Sequence, residues 1–223
     1  MEQISQGRAV ASTRPATIGE LLYWFTKRLV DILGSAVLLA ILLPFFVIIA
    51  AAIWIDSGLP IIYKCHRMGR FGRPIVVLKF RTMRDGSHHH LEELLTVDEE
   101  WALEYGERRK LRDDPRRTRV GALLRRMSLD ELPQLVNVLN GDMSLIGPRP
   151  YFPGELESRP EAELILRVRP GITGLWQVNG RADRTFEERV QFDVQYVNQR
   201  GFGMDLGILA RTVGAVLSGR GAY

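Results

Sequence analysis

The chain has 223 residues, of which 46% are hydrophobic and 25% are charged. This composition excludes global disorder and allows one sizeable domain, or a domain with a membrane anchor. The net charge of +4 suits anionic partners such as phosphates, anionic lipids or nucleic acid, and the single cysteine, Cys65, excludes an internal disulfide and fits a reducing compartment.

An uncharged apolar run extends from residue 32 to residue 55, with Pro44 near its middle. About 20 apolar residues let a helix cross a bilayer, and this run is too long for a removable signal peptide. Proline bends a helix, and cations flank the run on both sides. A kinked spanning helix and a re-entrant hairpin fit these features equally well. The cations are Lys27 and Arg28 before the run, and Lys64, Arg67, Arg70 and Arg73 after it.

The next segment predicts a β-hairpin, because β-like runs near residues 61–64 and 75–80 are joined by a stretch rich in glycine and proline. In a strand, Lys79 and Arg81 would point to one face. They are then either solvated cations or part of a phosphate-binding surface.

Residues 88–115 are highly charged and carry apolar residues at helical spacing, which predicts a surface helical excursion. The three histidines at 88–90 have no second ligand cluster, so we expect a solvated loop there and not a zinc site. After the excursion, Arg125 and Arg126 directly precede the motif MSLDELPQL, and either side chain could turn toward it.

The stretch 132–150 predicts a helix that ends at Gly141, followed by a turn in which Arg149 lies between two prolines. A stiffly held guanidinium suits phosphate recognition, although a lone arginine between prolines is more often an exposed turn residue. The glycine-rich loop at 169–183 carries Arg181 and matches neither a Walker nor a Rossmann loop.

The tail predicts two helices, and the second carries an apolar stripe. Core packing is the expected role of this stripe. The alternative is an interfacial amphipathic helix with Arg211 and Arg220 at the lipid headgroups. The stripe consists of Leu206, Leu209, Val213, Val216 and Leu217.

The motif MSLDELPQL, residues 127–135, places two carboxylates side by side. Ser128 followed three residues later by Glu131 is typical of a capping box, in which Asp130 would simply favour the positive end of a helix. Pro133 comes slightly late for a cap at Ser128, which indicates a strained or kinked backbone. Adjacent carboxylates on a helix point about 100° apart, so one can attack a phosphorus atom while the other holds a metal ion.

An anchor, two carboxylates and several cations together predict phosphoryl transfer at a membrane surface, because this chemistry needs negative charge to be spread over cations. A membrane-anchored, metal-dependent phosphate hydrolase is the alternative. A non-enzymatic adaptor that binds nucleic acid is a third hypothesis, but no aromatic stacking platform or basic recognition helix favours it. The cations are Lys79, Arg125, Arg149 and Arg181.

Several blocks in one order resemble the bacterial sugar transferases, the monotopic polyprenol-phosphate phosphoglycosyl transferases. The resemblance runs from Lys27 to Tyr223 through KRLVD, LKFRTM, DDPRRTRVGALLRRMSLDELPQLVNVLNGDMSLIGPRP, RPGITGLWQVNGR and GRGAY. It implies that Asp130 attacks the sugar-linked phosphate of a nucleoside diphosphate sugar, expels the nucleoside monophosphate and carries a covalent phosphosugar. It also implies that Glu131 holds Mg²⁺. The residues implied to bind phosphates are Lys79, Arg125, Arg149 and Arg181.

The acceptor implied by the resemblance is a polyprenol phosphate, undecaprenyl phosphate in a bacterium, in the first membrane step of polysaccharide biosynthesis. The GITGLWQ and KLRDDP blocks resemble hexose-1-phosphate transferases of exopolysaccharide and O-antigen pathways. The expected donor is therefore a UDP-hexose, with galactose or glucose as the sugar.

The implied fold is α+β and mostly helical, with a short β-hairpin, amphipathic interfacial helices and a re-entrant helix broken at Pro44. We expect an N-terminal segment at 1–26, the membrane hairpin at 27–58 and a cytosolic catalytic domain at 59–223, on the bacterial inner membrane. Inner-membrane lipids are expected partners, nucleic acid is not, and a homodimer is left open. Two departures stand out: Leu43 replaces the serine that many members have before the proline, and the first segment is too short for the extra membrane domain of the largest members.

Overall fold

The computed structural model describes residues 17–84, 87–108 and 111–218. Its longest element is helix α1, Ile18–Ser57, which a capping box between Thr17 and Glu20 begins. Within the described ranges it is the one helix long and apolar enough to cross a membrane. It begins at Ile18 and not at Lys27, so it includes part of the predicted N-terminal segment, and residues 1–16 of that segment lie outside the described ranges.

Pro44 lies inside α1, and the helix continues through it. The predicted break at Pro44 is therefore not an interruption of the helix. The physical reason is that a proline removes one backbone hydrogen bond, and a helix can accommodate the ring by bending while the flanking turns stay intact.

Both halves of α1 contact the rest of the protein. Before Pro44, the Arg28 guanidinium donates to the Val138 carbonyl oxygen at 2.6 Å. After Pro44, the Phe46 and Phe80 rings pack with their centroids 5.3 Å apart. The middle of the helix, residues 36–48, contains no buried residue. The helix is therefore attached at its two ends and exposes apolar side chains between them.

Strands β1, Ile62–Met68, and β2, Pro74–Phe80, form the predicted hairpin. They pair antiparallel with Cys65 opposite Val77, and these two side chains are buried while Lys64 is exposed. This alternation follows from the two-residue period of a strand and turns one face of the hairpin toward the core.

Helices α2, Ser87–Val97, and α3, Glu99–Arg108, form the predicted surface excursion. The backbone at the histidines 88–90 is helical, so the predicted loop is wrong. The helix begins at Ser87, four residues before Leu91, the first apolar residue of the spacing, so the apolar pattern did not reveal where it begins. Asp98 caps α3 through hydrogen bonds from two backbone amides.

Short elements between the excursion and the tail build the centre of the protein. Helix α5 ends at Gly141, as predicted, and this residue has the left-handed conformation that favours glycine. The parallel pair β3–β4 was not predicted, because three residues are too few for a periodic pattern. The elements are α4, Arg119–Arg126; α5, Gln134–Asn140; β3, Ser144–Ile146; α6, Ala162–Ile165; and β4, Gly171–Thr173.

The tail folds into the two predicted helices, α7, Phe186–Gln199, and α8, Phe202–Ser218. Leu206, Val213 and Leu217 of the α8 stripe are 69%, 62% and 83% exposed, so the prediction of core packing is wrong for them. Nothing in the described ranges covers this face, which leaves the interfacial alternative. Arg220, the other cation of that alternative, lies outside the described residues.

Candidate active site

The two adjacent carboxylates lie in a single 3₁₀ turn, Leu129–Glu131, and not at the start of an α-helix. Ser128 has φ 56°, and its side chain makes no capping hydrogen bond, so the predicted capping box is wrong. Helix α4 extends to Arg126, and the chain must turn sharply there before α5 begins. The left-handed Ser128 makes that turn, which directs its hydroxyl away from the amides it would cap. The unusual backbone conformation of this motif is at Ser128, whereas Pro133 has ordinary helical φ and ψ and directly precedes α5.

Asp130 is 8% exposed, and Arg125 lies beside it. The Arg125 Nε donates to Thr82 Oγ1 at 2.9 Å, which fixes the guanidinium in place. Burial lowers the pKa of Arg125, whereas the negative charges of Asp130 and Asp114 raise it. The structure thus brings a predicted cation, Arg125, next to the predicted nucleophile.

Glu131 forms an ion pair with another predicted cation. Its Oε1 lies 2.6 Å from Lys79 Nζ, and both side chains remain partly accessible to solvent. This contact links the end of β2 to the 3₁₀ turn. It holds the carboxylate at the surface of the site, where a bound phosphate or ion can reach it.

Arg181 is the third cation near the pair. It is 9% exposed and has φ 51°, a conformation that non-glycine residues rarely adopt. Burial lowers the pKa of Arg181, and the charge of Glu131 opposes that shift. Its Nη1 is buried without a hydrogen-bond partner among the described residues. A residue with a strained backbone and a buried guanidinium that has an unpaired donor is typical of an anion-binding position.

Arg149 belongs to a second polar cluster. Its Nη1 lies 3.7 Å from Glu155 Oε1, and its backbone amide donates to Asp193 Oδ2 at 3.1 Å. Burial lowers the pKa of Arg67 to about 10, and the charge of Arg149 acts in the same direction. Burial raises the pKa of Asp193 to about 7, against hydrogen bonds from Tyr151 and Arg149. The described contacts of Arg149 are therefore with this cluster, whereas Lys79 pairs with Glu131, and Arg125 and Arg181 interact electrostatically with Asp130 and Glu131.

Sequence analysis missed three residues that hold the site together. Thr82 fixes Arg125, and Asp114 accepts hydrogen bonds from Arg116 Nε at 2.8 Å and Nη2 at 2.5 Å. Burial acts to raise the pKa of Asp114, but the hydrogen bonds and charge of Arg116, with the charge of Arg125, hold that pKa below its usual range. The DDPRR stretch was a visible signal, because two acids and two arginines lie there on either side of a proline.

The model of the bacterial sugar transferase family matches residues 22–219. The chain belongs to the bacterial sugar transferase family. This match extends from the first half of α1 to the end of α8, so the membrane helix and the carboxylate site are parts of one family unit.

Three curated members of the bacterial sugar transferase family show how the chain relates to named proteins. It is 46% identical to the UDP-galactose-lipid carrier transferase of Erwinia amylovora, over 89% of this chain and 42% of that protein. It is 43% identical to the exopolysaccharide production protein ExoY of Rhizobium meliloti, over 88% of both chains. It is 37% identical to the UDP-glucose:undecaprenyl-phosphate glucose-1-phosphate transferase of Caulobacter vibrioides, over 88% of this chain and 72% of that protein. The chain thus spans less than half of the first relative and nearly all of the second.

Proposed function

We propose that this protein is a phosphoglycosyl transferase that moves a hexose 1-phosphate from a UDP-hexose to undecaprenyl phosphate at the cytosolic face of the inner membrane. Family membership and the names of the relatives support sugar-phosphate transfer to a lipid carrier. The observation that carries the mechanism is the buried Asp130 beside Glu131, with Lys79, Arg125 and Arg181 around the pair.

The reaction proceeds in two displacements at one phosphorus atom. In the first, an Asp130 carboxylate oxygen forms a bond to the sugar-linked phosphorus, and the bond to the bridging oxygen breaks, so that UMP leaves. In the second, a phosphate oxygen of undecaprenyl phosphate forms a bond to the same phosphorus, and the bond to Asp130 breaks. The products are UMP and undecaprenyl diphosphate hexose, and Asp130 is regenerated as a carboxylate.

The cations around Asp130 explain how a carboxylate can attack an anionic phosphate. Arg125 is held by Thr82, and the buried Arg181 has an Nη1 donor without a hydrogen-bond partner among the described residues. Both guanidinium groups can stabilise the negative charge that accumulates on the phosphoryl oxygens, which lowers the energy of the transition state more than that of the ground state.

A magnesium ion fits Glu131, the residue we propose as its ligand. Among the residues that the structure describes, no group of three or more His, Cys, Asp or Glu side chains could enclose a metal by itself. Mg²⁺ does not need such a group, because it binds through one or two carboxylates together with substrate phosphates and water. Glu131 is partly exposed and adjacent to Asp130, as such a shared site requires. When bound, the ion neutralises charge on the diphosphate of the donor.

Release of UMP by an Asp130→Asn variant tests the proposed mechanism. The variant lacks the attacking oxygen charge, so we expect UMP release from UDP-galactose and UDP-glucose to fall by a factor on the order of 10³ or more. Asp113→Asn is the control, because that side chain is 97% exposed. Full activity of Asp130→Asn would contradict the assignment of the nucleophile.

The fate of the sugar phosphate separates the transferase from the hydrolase alternative. Radiolabelled hexose phosphate should pass to the lipid phase when undecaprenyl phosphate is present, and it should stay on the wild-type protein when the acceptor is absent. Release of free hexose 1-phosphate into water, whether or not lipid is added, would instead support a hydrolase.

A further inference from the structure

A groove of about 520 Å³ lies where the C-terminal end of α1 meets the start of α4. It is separate from the carboxylate pair and has no role in the chemistry described above. Its lining is polar and consists of Asp56, Ser57, Arg84, Thr118 and Arg119.

Two arginines in this groove are uncommitted. Arg84 and Arg119 are exposed, and neither guanidinium has a hydrogen bond or an ion pair within the described ranges. The Asp56 carboxylate, by contrast, accepts from the Val120 amide at 3.1 Å, and Thr118 Oγ1 accepts from the Gly121 amide at 2.9 Å. Asp56, the one carboxylate among the described lining residues, therefore serves to begin α4, and the described lining offers two cations to an incoming anion.

The surface beside the groove is apolar. At the end of α1, Trp54 and Leu59 are 62% and 69% exposed. On α4, Leu123 and Met127 are exposed and follow Arg119 at intervals of four residues, so all three lie on one side of the helix. Tryptophan and arginine beside exposed aliphatic residues are typical of the level at which lipid headgroups meet the acyl chains.

The groove shares a wall with the active site. The Thr118 amide donates to the Thr82 carbonyl oxygen at 3.1 Å, and the Thr82 hydroxyl in turn accepts from Arg125. Arg125 is the cation beside Asp130. The contact between Thr82 and Thr118 therefore links the groove, with its Arg84 and Arg119, to Arg125 beside the nucleophile.

We propose that this groove binds the phosphate of the acceptor lipid through Arg84 and Arg119 before that phosphate attacks the phosphosugar on Asp130. The inference rests on the proposed function and adds to it a site for the second substrate. The chemistry that the groove recognises is a phosphate group on a lipid. Two guanidinium groups provide charge-assisted hydrogen bonds to it, and the neighbouring apolar surface accommodates the start of the chain.

The two half-reactions allow a direct test with the double variant Arg84→Gln/Arg119→Gln in nanodiscs. Without acceptor lipid, we expect the burst of UMP release from UDP-hexose to equal that of the wild type, because donor binding and Asp130 are untouched. With acceptor, we expect the KM for undecaprenyl phosphate to rise about five- to fifty-fold, as loss of charge-assisted hydrogen bonds predicts. Arg126→Gln, which removes an exposed arginine of α4 outside the groove, should leave both quantities unchanged.

A binding measurement that needs no turnover distinguishes the acceptor from other anionic lipids. In phosphatidylcholine nanodiscs, undecaprenyl phosphate should raise the Tm of the wild type and not that of the double variant. If phosphatidylglycerol likewise raises the Tm of the wild type and not that of the double variant, the groove binds anionic lipids in general, and the proposal is overturned. An unchanged acceptor KM, or a lost burst in a folded variant, would also overturn it. Failure of the wild type to release UMP would instead count against the proposed function, and the Tm comparison would still decide whether the groove binds the lipid phosphate.

Discussion

At the residue scale, the charge near Asp130 depends on an ion pair between Asp114 and Arg116. Asp114 is 5% exposed and binds Arg116 through two side-chain contacts, while Arg116 also donates to the Ser87 carbonyl oxygen at 3.0 Å. Because Asp114 also lies within electrostatic range of Arg125, it balances the charge of Arg116 and that of Arg125, the cation beside the nucleophile.

Replacement of Asp114 by Asn should therefore destabilise the protein. The change leaves the partly buried Arg116 and Arg125 without their shared counter-charge, and we expect a loss of about 3 kcal/mol in the free energy of unfolding. Chemical denaturation measures this loss. Asp113→Asn is a matched control, because the neighbouring carboxylate is 97% exposed and its removal should change stability by less than about 0.5 kcal/mol. Equal effects of the two substitutions would contradict the proposed balance of charges.

At the element scale, α4 presents Arg125 to the site because its first turns pack directly on the backbone that follows β2. A Cβ atom on Gly121 would collide with the Thr82 carbonyl group. Gly121 lies one turn before Arg125 on the same face of the helix, and Arg125 binds the Thr82 hydroxyl. The position of the helix and the placement of the guanidinium are thus set by one close contact.

Gly121→Ala should weaken both stability and activity. The added methyl group pushes α4 away from Thr82, which we expect to cost about 1–3 kcal/mol of stability and to lengthen the Arg125 hydrogen bond. Thermal unfolding and the UMP assay measure the two effects. Gly207→Ala in α8 is the control, because a Cβ there meets nothing within 4 Å and should raise stability by up to about 1 kcal/mol. If Gly121→Ala behaves like Gly207→Ala, the close contact does not set the position of α4.

At the scale of the whole molecule, the attachment of α1 at both ends favours the re-entrant topology that we propose. A spanning helix places about 30 Å of hydrocarbon between its ends, so one folded body could not bind both of them. Here Lys27 pairs with Asp205 at 2.9 Å, and beyond Pro44 the guanidinium of Arg81 donates to carbonyl oxygens at the C-terminal end of the helix. In the re-entrant topology that we propose, the exposed apolar stretch between these attachments enters the membrane and returns to the same side.

Cysteine labelling tests this topology. In a Cys65→Ser background, Ile18→Cys and Lys64→Cys should both react with a membrane-impermeant maleimide from the cytosolic side, because both positions are exposed and lie on either side of the exposed apolar stretch 36–48. Vesicles of inside-out and right-side-out orientation provide the comparison. Reaction of the two cysteines from opposite sides would show a spanning helix.

Many elements could be predicted from the sequence, because their signals are local. The apolar run at 32–55, the hairpin strands and the helix end at Gly141 each follow from residues within one or two turns of each other. Local rules also misled, and Ser128 is an example. Ser128 has the pattern of a cap, but the end of α4 forces it into the left-handed conformation.

The sequence by itself determined the apolar anchor, the mixed helical and strand composition and the motif that carries two adjacent carboxylates. Only the tertiary structure decided which cations meet them. Lys79 and Glu131 are 52 positions apart, and Thr82 and Arg125 are 43 apart. Periodicity reports on neighbours within a few residues, whereas such contacts depend on how α4 and the hairpin pack together. Tertiary contacts likewise place Arg149 with Glu155 and with Asp193 of α7, which no spacing along the chain predicts.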